Sequence, residues 1–137
     1  MIIPNLMVSD MVRSLAFYRD KIGLRVVMAI DGNREVLADT DGSNAVFVIL
    51  SGLDDGELML QSTASLRAEH PSLPTTPGFT GTIYIRGLDP RMIAAKVDPA
   101  DVAKPLERQW YGMLELYLRD PDGYLICIGM ADGPPVV

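Results

Sequence analysis

The sequence predicts an α+β fold. Two observations carry this expectation: a strand, a helix and then several strands follow one another in each half, and a connector holding Pro71, Pro74 and Pro77-Gly78 separates the halves. The chain has 137 residues, 48% of them hydrophobic. That size suits one domain, burying roughly 68–70% of the surface its unfolded chain exposes. Module 1 is expected at about 1–66, the connector at about 67–79 and module 2 at about 80–137.

Ile2–Val8 reads as a strand, and Ser9 or Asp10 is placed to cap a helix. Met11, Leu15, Tyr18 and Ile22 then recur at helical spacing until Gly23 ends the pattern. Apolar or alternating runs follow at Arg25–Ile30, Glu35–Ala38, Ala45–Leu50 and Glu57–Gln61. Asp31-Gly32, Asp41-Gly42 and Asp54-Asp55-Gly56 separate them as turn signals. Ser62–His70 suits a short helical turn.

Beyond the connector the order returns. Thr80–Arg86 reads as a strand, Asp89-Pro90 as N-cap and first helical residue, and Met92–Val97 as a short helix. Strands are expected at Pro105–Arg108, Met113–Leu118 and Tyr124–Ile128. Between the last two, Asp120-Pro121-Asp122-Gly123 is a tight hairpin: Pro presets a turn residue, Asp folds back on its own backbone, and Gly supplies a left-handed residue. Gly56-Glu57-Leu58-Met59-Leu60 resembles Gly123-Tyr124-Leu125-Ile126-Cys127, so the second half repeats the first. Two sheets, each covered on one face by a helix, leave opposite faces free to enclose a cup.

Composition excludes several functions. The formal charge is −6, with no cluster of lysine and arginine to contact phosphates, which argues against nucleic acid and weakly favours a cationic small molecule. No run approaches the roughly 18 apolar residues of a membrane helix, and the N-terminus lacks a secretory pattern, so no membrane partner and a cytoplasmic location are expected. One cysteine rules out an internal disulfide and fits a reducing compartment.

An ordered set of motifs carries a family resemblance. Asn5-Leu6-Met7-Val8-Ser9-Asp10, Ser14-Leu15-Ala16-Phe17-Tyr18, Ile22-Gly23-Leu24, Glu57-Leu58-Met59-Leu60-Gln61, Trp110-Tyr111-Gly112-Met113 and Arg119-Asp120-Pro121-Asp122-Gly123 together resemble the glyoxalase/bleomycin-resistance/dioxygenase group of the vicinal oxygen chelate superfamily. The resemblance spans nearly the whole chain and is closer to the bleomycin-resistance branch than to the metal-dependent glyoxalases. It implies paired βαβββ modules, a barrel-like curved mixed sheet with helices outside, a cup-shaped ligand site, and a homodimer.

Metal-using members of that superfamily carry a His on the first strand and a Glu on the last strand of each module. The resemblance carries these positions to Ile3, Leu60, Thr82 and Cys127, with a one-residue shift in Glu57–Gln61 bringing Glu57 or Gln61 nearer. Such a set lacks the imidazole and carboxylate donors of a hard divalent site, so neither metal nor other cofactor is expected. The single histidine, His70, lies in the connector beside Pro71 and reads as a solvated loop residue or a rim contact.

If Thr82 faces the cup, strand alternation places Tyr84 and Arg86 there too, with Asn5 and Met7 on the first strand. Leu114, Leu116 and Leu118 form an apolar face, which turns Met113, Glu115 and Tyr117 to the cup. Arg86 and Glu115 then read either as a ligand-recognising pair or as a structural salt bridge. Trp110 and Tyr111 read as rings that stack on a ligand, or as interface packing. Cys127 reads as a nucleophile or as buried filler. The expected ligand-binding set is thus Asn5, Met7, Thr82, Tyr84, Arg86, Trp110, Tyr111, Glu115, Tyr117 and Cys127, serving a metal-independent small-molecule binder that sequesters an antibiotic or a hydrophobic or cationic metabolite. The competing expectation is an enzyme of the superfamily (a lyase, isomerase or dioxygenase), with a metal site elsewhere or a metal-free mechanism using Glu115 as base and Arg86 as oxyanion partner.

Overall fold

The computed structural model describes residues 1–52 and 54–136. The chain divides into two compact units, Met1–Gly78 and Phe79–Val137, and each holds a four-stranded mixed sheet.

The first unit runs β1 (Asn5–Val8), α1 (Met11–Leu15), β2 (Arg25–Ile30), β3 (Phe47–Ser51), β4 (Glu57–Ser62) and α2 (Thr63–Glu69). Asp10 caps α1 by accepting from the Arg13 amide, which settles the choice between Ser9 and Asp10. The helix continues as a π-helix over Ala16–Ile22 and stops at Gly23, whose φ of 93° suits a residue without Cβ. Its apolar stripe, Met11, Leu15, Tyr18 and Ile22, is buried.

Strand order is β1-β4-β3-β2, with β1 parallel to β4 and the other pairs antiparallel. Register places Leu6, Leu60 and Val48 on one face, fully or nearly buried. Met7, Gln61 and Phe47 lie on the other. Leu60 therefore cannot share a face with Asn5 and Met7; Met59 interrupts the polar face that Glu57 and Gln61 mark, which leaves Leu58, Met59 and Leu60 apolar in succession.

The second unit repeats the order: β5 (Thr82–Arg86), α3 (Pro90–Ala94), β6 (Val102–Arg108), β7 (Met113–Arg119) and β8 (Leu125–Ala131), with a 3-10 turn at Pro99–Asp101. The sheet order β5-β8-β7-β6 matches the first, including one parallel pair, β5 with β8. Ile83, Ile126 and Leu118 share one face, as do Ile85, Ile128 and Leu116 in the next row. The helix α3, anchored by buried Pro90 and Ile93, packs against β6, β7 and β8.

Several elements differ from the sequence pattern. Glu35–Ala38 is not a strand: Asp31 accepts from the amides of Asn33 and Glu35, and the turn returns the chain for a single bridge between Ile30 and Val36. β1 begins at Asn5, after Pro4, which has no amide to donate. β5 starts two residues later than Thr80, and α3 ends at Ala94 rather than Val97. β6 starts at Val102 and runs through Pro105, which an edge strand with two register shifts tolerates. β8 extends past Ile128 to Ala131 by pairing with Met113.

The β7–β8 hairpin forms as its residues dictate. The buried Asp120 carboxylate accepts from the amides of Asp122 (2.9 Å) and Tyr124 (2.8 Å), and Gly123 takes a φ of 86°.

Candidate functional site

In the second unit, directly paired residues lie on the same face of the sheet. Tyr84, Cys127, Tyr117 and Lys104 form one row across β5, β8, β7 and β6. Arg86, Gly129, Glu115 and Glu107 form the next. Thr82 lies further along this face, paired with Leu125, and Met113 is paired with Ala131. The alternation expected for β5 and β7 therefore holds.

Glu115 is the centre of the cluster. It is 2% exposed, yet both oxygens are satisfied: the Tyr84 hydroxyl donates to Oε2 at 2.6 Å and the Tyr111 hydroxyl to Oε1 at 2.5 Å. The Tyr84 phenol is pushed far above its usual value, first by burial and then by its bond to the carboxylate. Tyr111 is raised to about 12, chiefly by the same kind of bond. Burial, then a hydrogen bond with Cys127, raises Tyr117 to about 12. All three phenols keep their protons at neutral pH.

Cys127 is 0% exposed, and burial pushes its thiol up to about 11. A thiol held protonated is a poor nucleophile, which favours the filler reading.

The expected pairing of Arg86 with Glu115 does not form: no ion pair joins them among the described residues, and the carboxylate accepts from two tyrosines instead. Arg86 is exposed, its guanidinium 5.9 Å from the centre of the Tyr84 ring. Lys104 sits 5.8 Å from the Tyr117 ring and pairs with Glu107 at 3.6 Å. Trp110 is 66% exposed and meets Tyr111 edge to face, with centroids 5.4 Å apart.

Six expected residues, Tyr84, Arg86, Tyr111, Glu115, Tyr117 and Cys127, thus form one connected cluster, with Trp110 on its rim. Thr82 shares their face without joining the hydrogen bonds. Asn5 and Met7 belong to the other unit, where Asn5 donates to Gln61 at 3.0 Å and Gln61 donates to Ser65 and Glu69. His70 ends α2, exposed, with Nε2 4.0 Å from Glu69. Sequence reasoning missed Gly129, although a glycine inside a strand is itself a signal of close approach.

A model of the Glyoxalase/Bleomycin resistance protein/Dioxygenase superfamily matches residues 3–128. The chain belongs to that superfamily. Solved structures of the same fold include a protein of unknown function from Agrobacterium tumefaciens str. C58 (23% identity, TM-score 0.69, covering 94% of this chain and 91% of that one). TioX from Micromonospora sp. ML1 is similar at 17% identity and TM-score 0.64, covering 95% and 97%. A glyoxalase/bleomycin resistance protein from Streptomyces sp. CB03234 is similar at 18% and 0.63, covering 93% and 97%. Identities of this size speak to the fold, which is α+β and glyoxalase-like. A comparison with curated proteins returns no match.

Membership in this superfamily raises the question of a metal. The pairs that close the two hairpins, Ser51 with Glu57 and Arg119 with Leu125, make Met59 the counterpart of Cys127, correcting the assignment of Leu60. The carried-over set becomes Ile3, Met59, Thr82 and Cys127. It supplies one thioether, one hydroxyl and one thiol, with no imidazole or carboxylate, which do not fit a hard divalent cation. Among the described residues, no three His, Cys, Asp or Glu side chains are gathered to hold an ion, and none of the helices is long and apolar enough to cross a membrane.

Proposed function

We propose that the open face of the second unit's sheet binds a small organic molecule without a resident metal, in a sequestering role of the bleomycin-resistance kind. The buried Glu115 carboxylate, reached through two tyrosyl oxygens and rimmed by exposed Trp110, is the observation that carries this reading. Fixed negative charge behind aromatic rings favours a ligand with an apolar body and a cationic group. The overall charge of −6 and the name of the Streptomyces neighbour agree with it. A cytoplasmic location belongs to the same proposal.

The competing reading is a metal-free enzyme with Glu115 as base. Its burial at 2% exposure, behind a tyrosyl hydroxyl on each oxygen, argues against that role, since a base must lie within hydrogen-bond reach of the substrate's proton.

The test is a thermal-shift screen across basic antibiotics, keto acids and thiol-adduct metabolites, followed by calorimetry of a hit on Arg86→Met, Glu115→Gln and Trp110→Ala. A cationic hit should weaken with Glu115→Gln and Trp110→Ala; an anionic hit should depend on Arg86 instead. A hit that all three variants bind as the parent does would place the site elsewhere.

A further inference from the structure

β5 and β7 are not neighbours, because β8 lies between them. Two strand spacings amount to about 10 Å, so a tyrosine on β5 reaches a carboxylate on β7 only by lying flat across β8. Tyr84 does so diagonally: its register partner on β8 is Cys127, whereas its hydroxyl meets Glu115, whose partner is Gly129. A methyl built at position 129 would stand 2.7 Å from Tyr84 Cε1 and closer still to Cζ and the hydroxyl. Any residue other than glycine there blocks the path.

The crossing fixes the chemistry the site presents. A tyrosine hydroxyl has one proton to donate. Tyr84 and Tyr111 both direct theirs at Glu115, so only oxygen lone pairs remain for a ligand.

We propose that Gly129 is the positioning residue of this site: its bare backbone lets Tyr84 cross β8 to Glu115, so that the tyrosines meet a ligand as hydrogen-bond acceptors and select donors such as an alkylammonium group. The proposal rests on the binding reading of the same face.

The experiment introduces Gly129→Ala into the parent and into Tyr84→Ala, and reads three quantities. The urea midpoint should fall in the parent but hardly change in the Tyr84→Ala background, because the three atoms nearest the methyl all belong to the Tyr84 side chain. In Gly129→Ala alone, alkaline absorbance titration should show one phenol moving down toward the ordinary value near 10. Calorimetry with benzylammonium and benzoate should show the parent's preference for the cation falling about tenfold, the scale of one charged hydrogen bond.

Equal cost in both backgrounds, or an unchanged phenol titration, overturns the positioning role. If Gly129→Ala does not fold alone, recovery of the fold in the double variant upholds it and failure of both overturns it. A parent that prefers benzoate overturns the acceptor assignment. A parent that binds neither probe at millimolar concentration overturns the binding reading, while the stability cycle and the titration still decide the placement of Tyr84 by Gly129.

Discussion

Glu115→Gln keeps the shape of the buried side chain and removes its charge. The carboxylate accepts from both tyrosines, at 2.6 and 2.5 Å. Hydrogen bonds to a charged group contribute about 1.5–3 kcal/mol against about 0.5–1.5 for neutral ones, so the substitution loses up to a few kcal/mol from these bonds. Relief from burying a charge at 2% exposure offsets part of this, leaving a net cost of about 1–2 kcal/mol. Urea unfolding measures it. The amide nitrogen of Gln cannot accept, so one hydroxyl must turn and accept from it, which exposes a donor where the parent offers a lone pair. Affinity for a cationic ligand should then fall by about 1.5–3 kcal/mol. Alkaline absorbance titration supplies an internal control: Glu115 is among the causes that raise Tyr84 and Tyr111, whereas Tyr124 is raised to about 12 by burial and its aspartate neighbours. Tyr84 and Tyr111 should titrate earlier and Tyr124 unchanged. A variant with the parent's titration curve refutes the tyrosine–carboxylate cluster, whatever its stability.

Between neutral pH and about pH 9 stability should be level, and it should fall as pH rises toward 12. Folding favours the protonated forms of Tyr111, Tyr117 and Tyr124, each raised to about 12, and of Cys127, raised to about 11, so their contributions are complete below the unfolded values and lost as pH passes the folded ones; unfolding midpoints against pH that rise across this window would contradict it. Asp120→Ala should cost about 2–3 kcal/mol, because the amide of buried Tyr124 loses a charged acceptor in the hairpin, with Asp120→Asn milder; a cost below about 0.5 kcal/mol in urea unfolding would show the turn does not need it. A homodimer is proposed, since exposed sheet edges favour a covering partner, and sedimentation equilibrium at micromolar concentration checks it against a 15.0 kDa monomer. Protein purified without added metal should hold no stoichiometric iron, zinc, nickel or manganese after dialysis; about one ion per chain by elemental analysis would overturn the metal-free reading.

The faces of β5 and β7 were legible because each alternates cleanly: Ile83 and Ile85 against Thr82, Tyr84 and Arg86, and the leucines at 114, 116 and 118 against Met113, Glu115 and Tyr117. β4 was not, since Leu58, Met59 and Leu60 are apolar in succession and match β8 equally well in two registers one residue apart. The partner of Glu115 was illegible for a different reason. Alternation assigns a face but says nothing of which strand lies between two others, so Arg86, on the right face, read as the partner. Only the order β5-β8-β7, with a glycine in the middle, shows that Tyr84 reaches the carboxylate. The π-helical stretch was hidden too, because Met11, Leu15, Tyr18 and Ile22 fit either winding.

The two units share one sheet order, which allows a comparison position by position. Counting from the hairpin-closing pairs, Asn5, Gln61 and Phe47 stand where the second unit has Tyr84, Gly129 and Glu115. In the first unit the middle strand carries a side chain, and the short Asn5 stops there, donating to Gln61 at 3.0 Å. In the second the middle strand is bare, and the longer Tyr84 passes over it to a carboxylate. The same sheet therefore forms with neutral amides and a phenylalanine at these three positions, so the fold itself does not demand a buried charge. Desolvating a carboxylate costs several kcal/mol even when hydrogen-bonded, and a hydrophobic replacement in such a place is often neutral or stabilising. A charge kept where the architecture does not require it argues for a use outside the architecture, and a ligand that pairs with Glu115 through Tyr84 and Tyr111 supplies one.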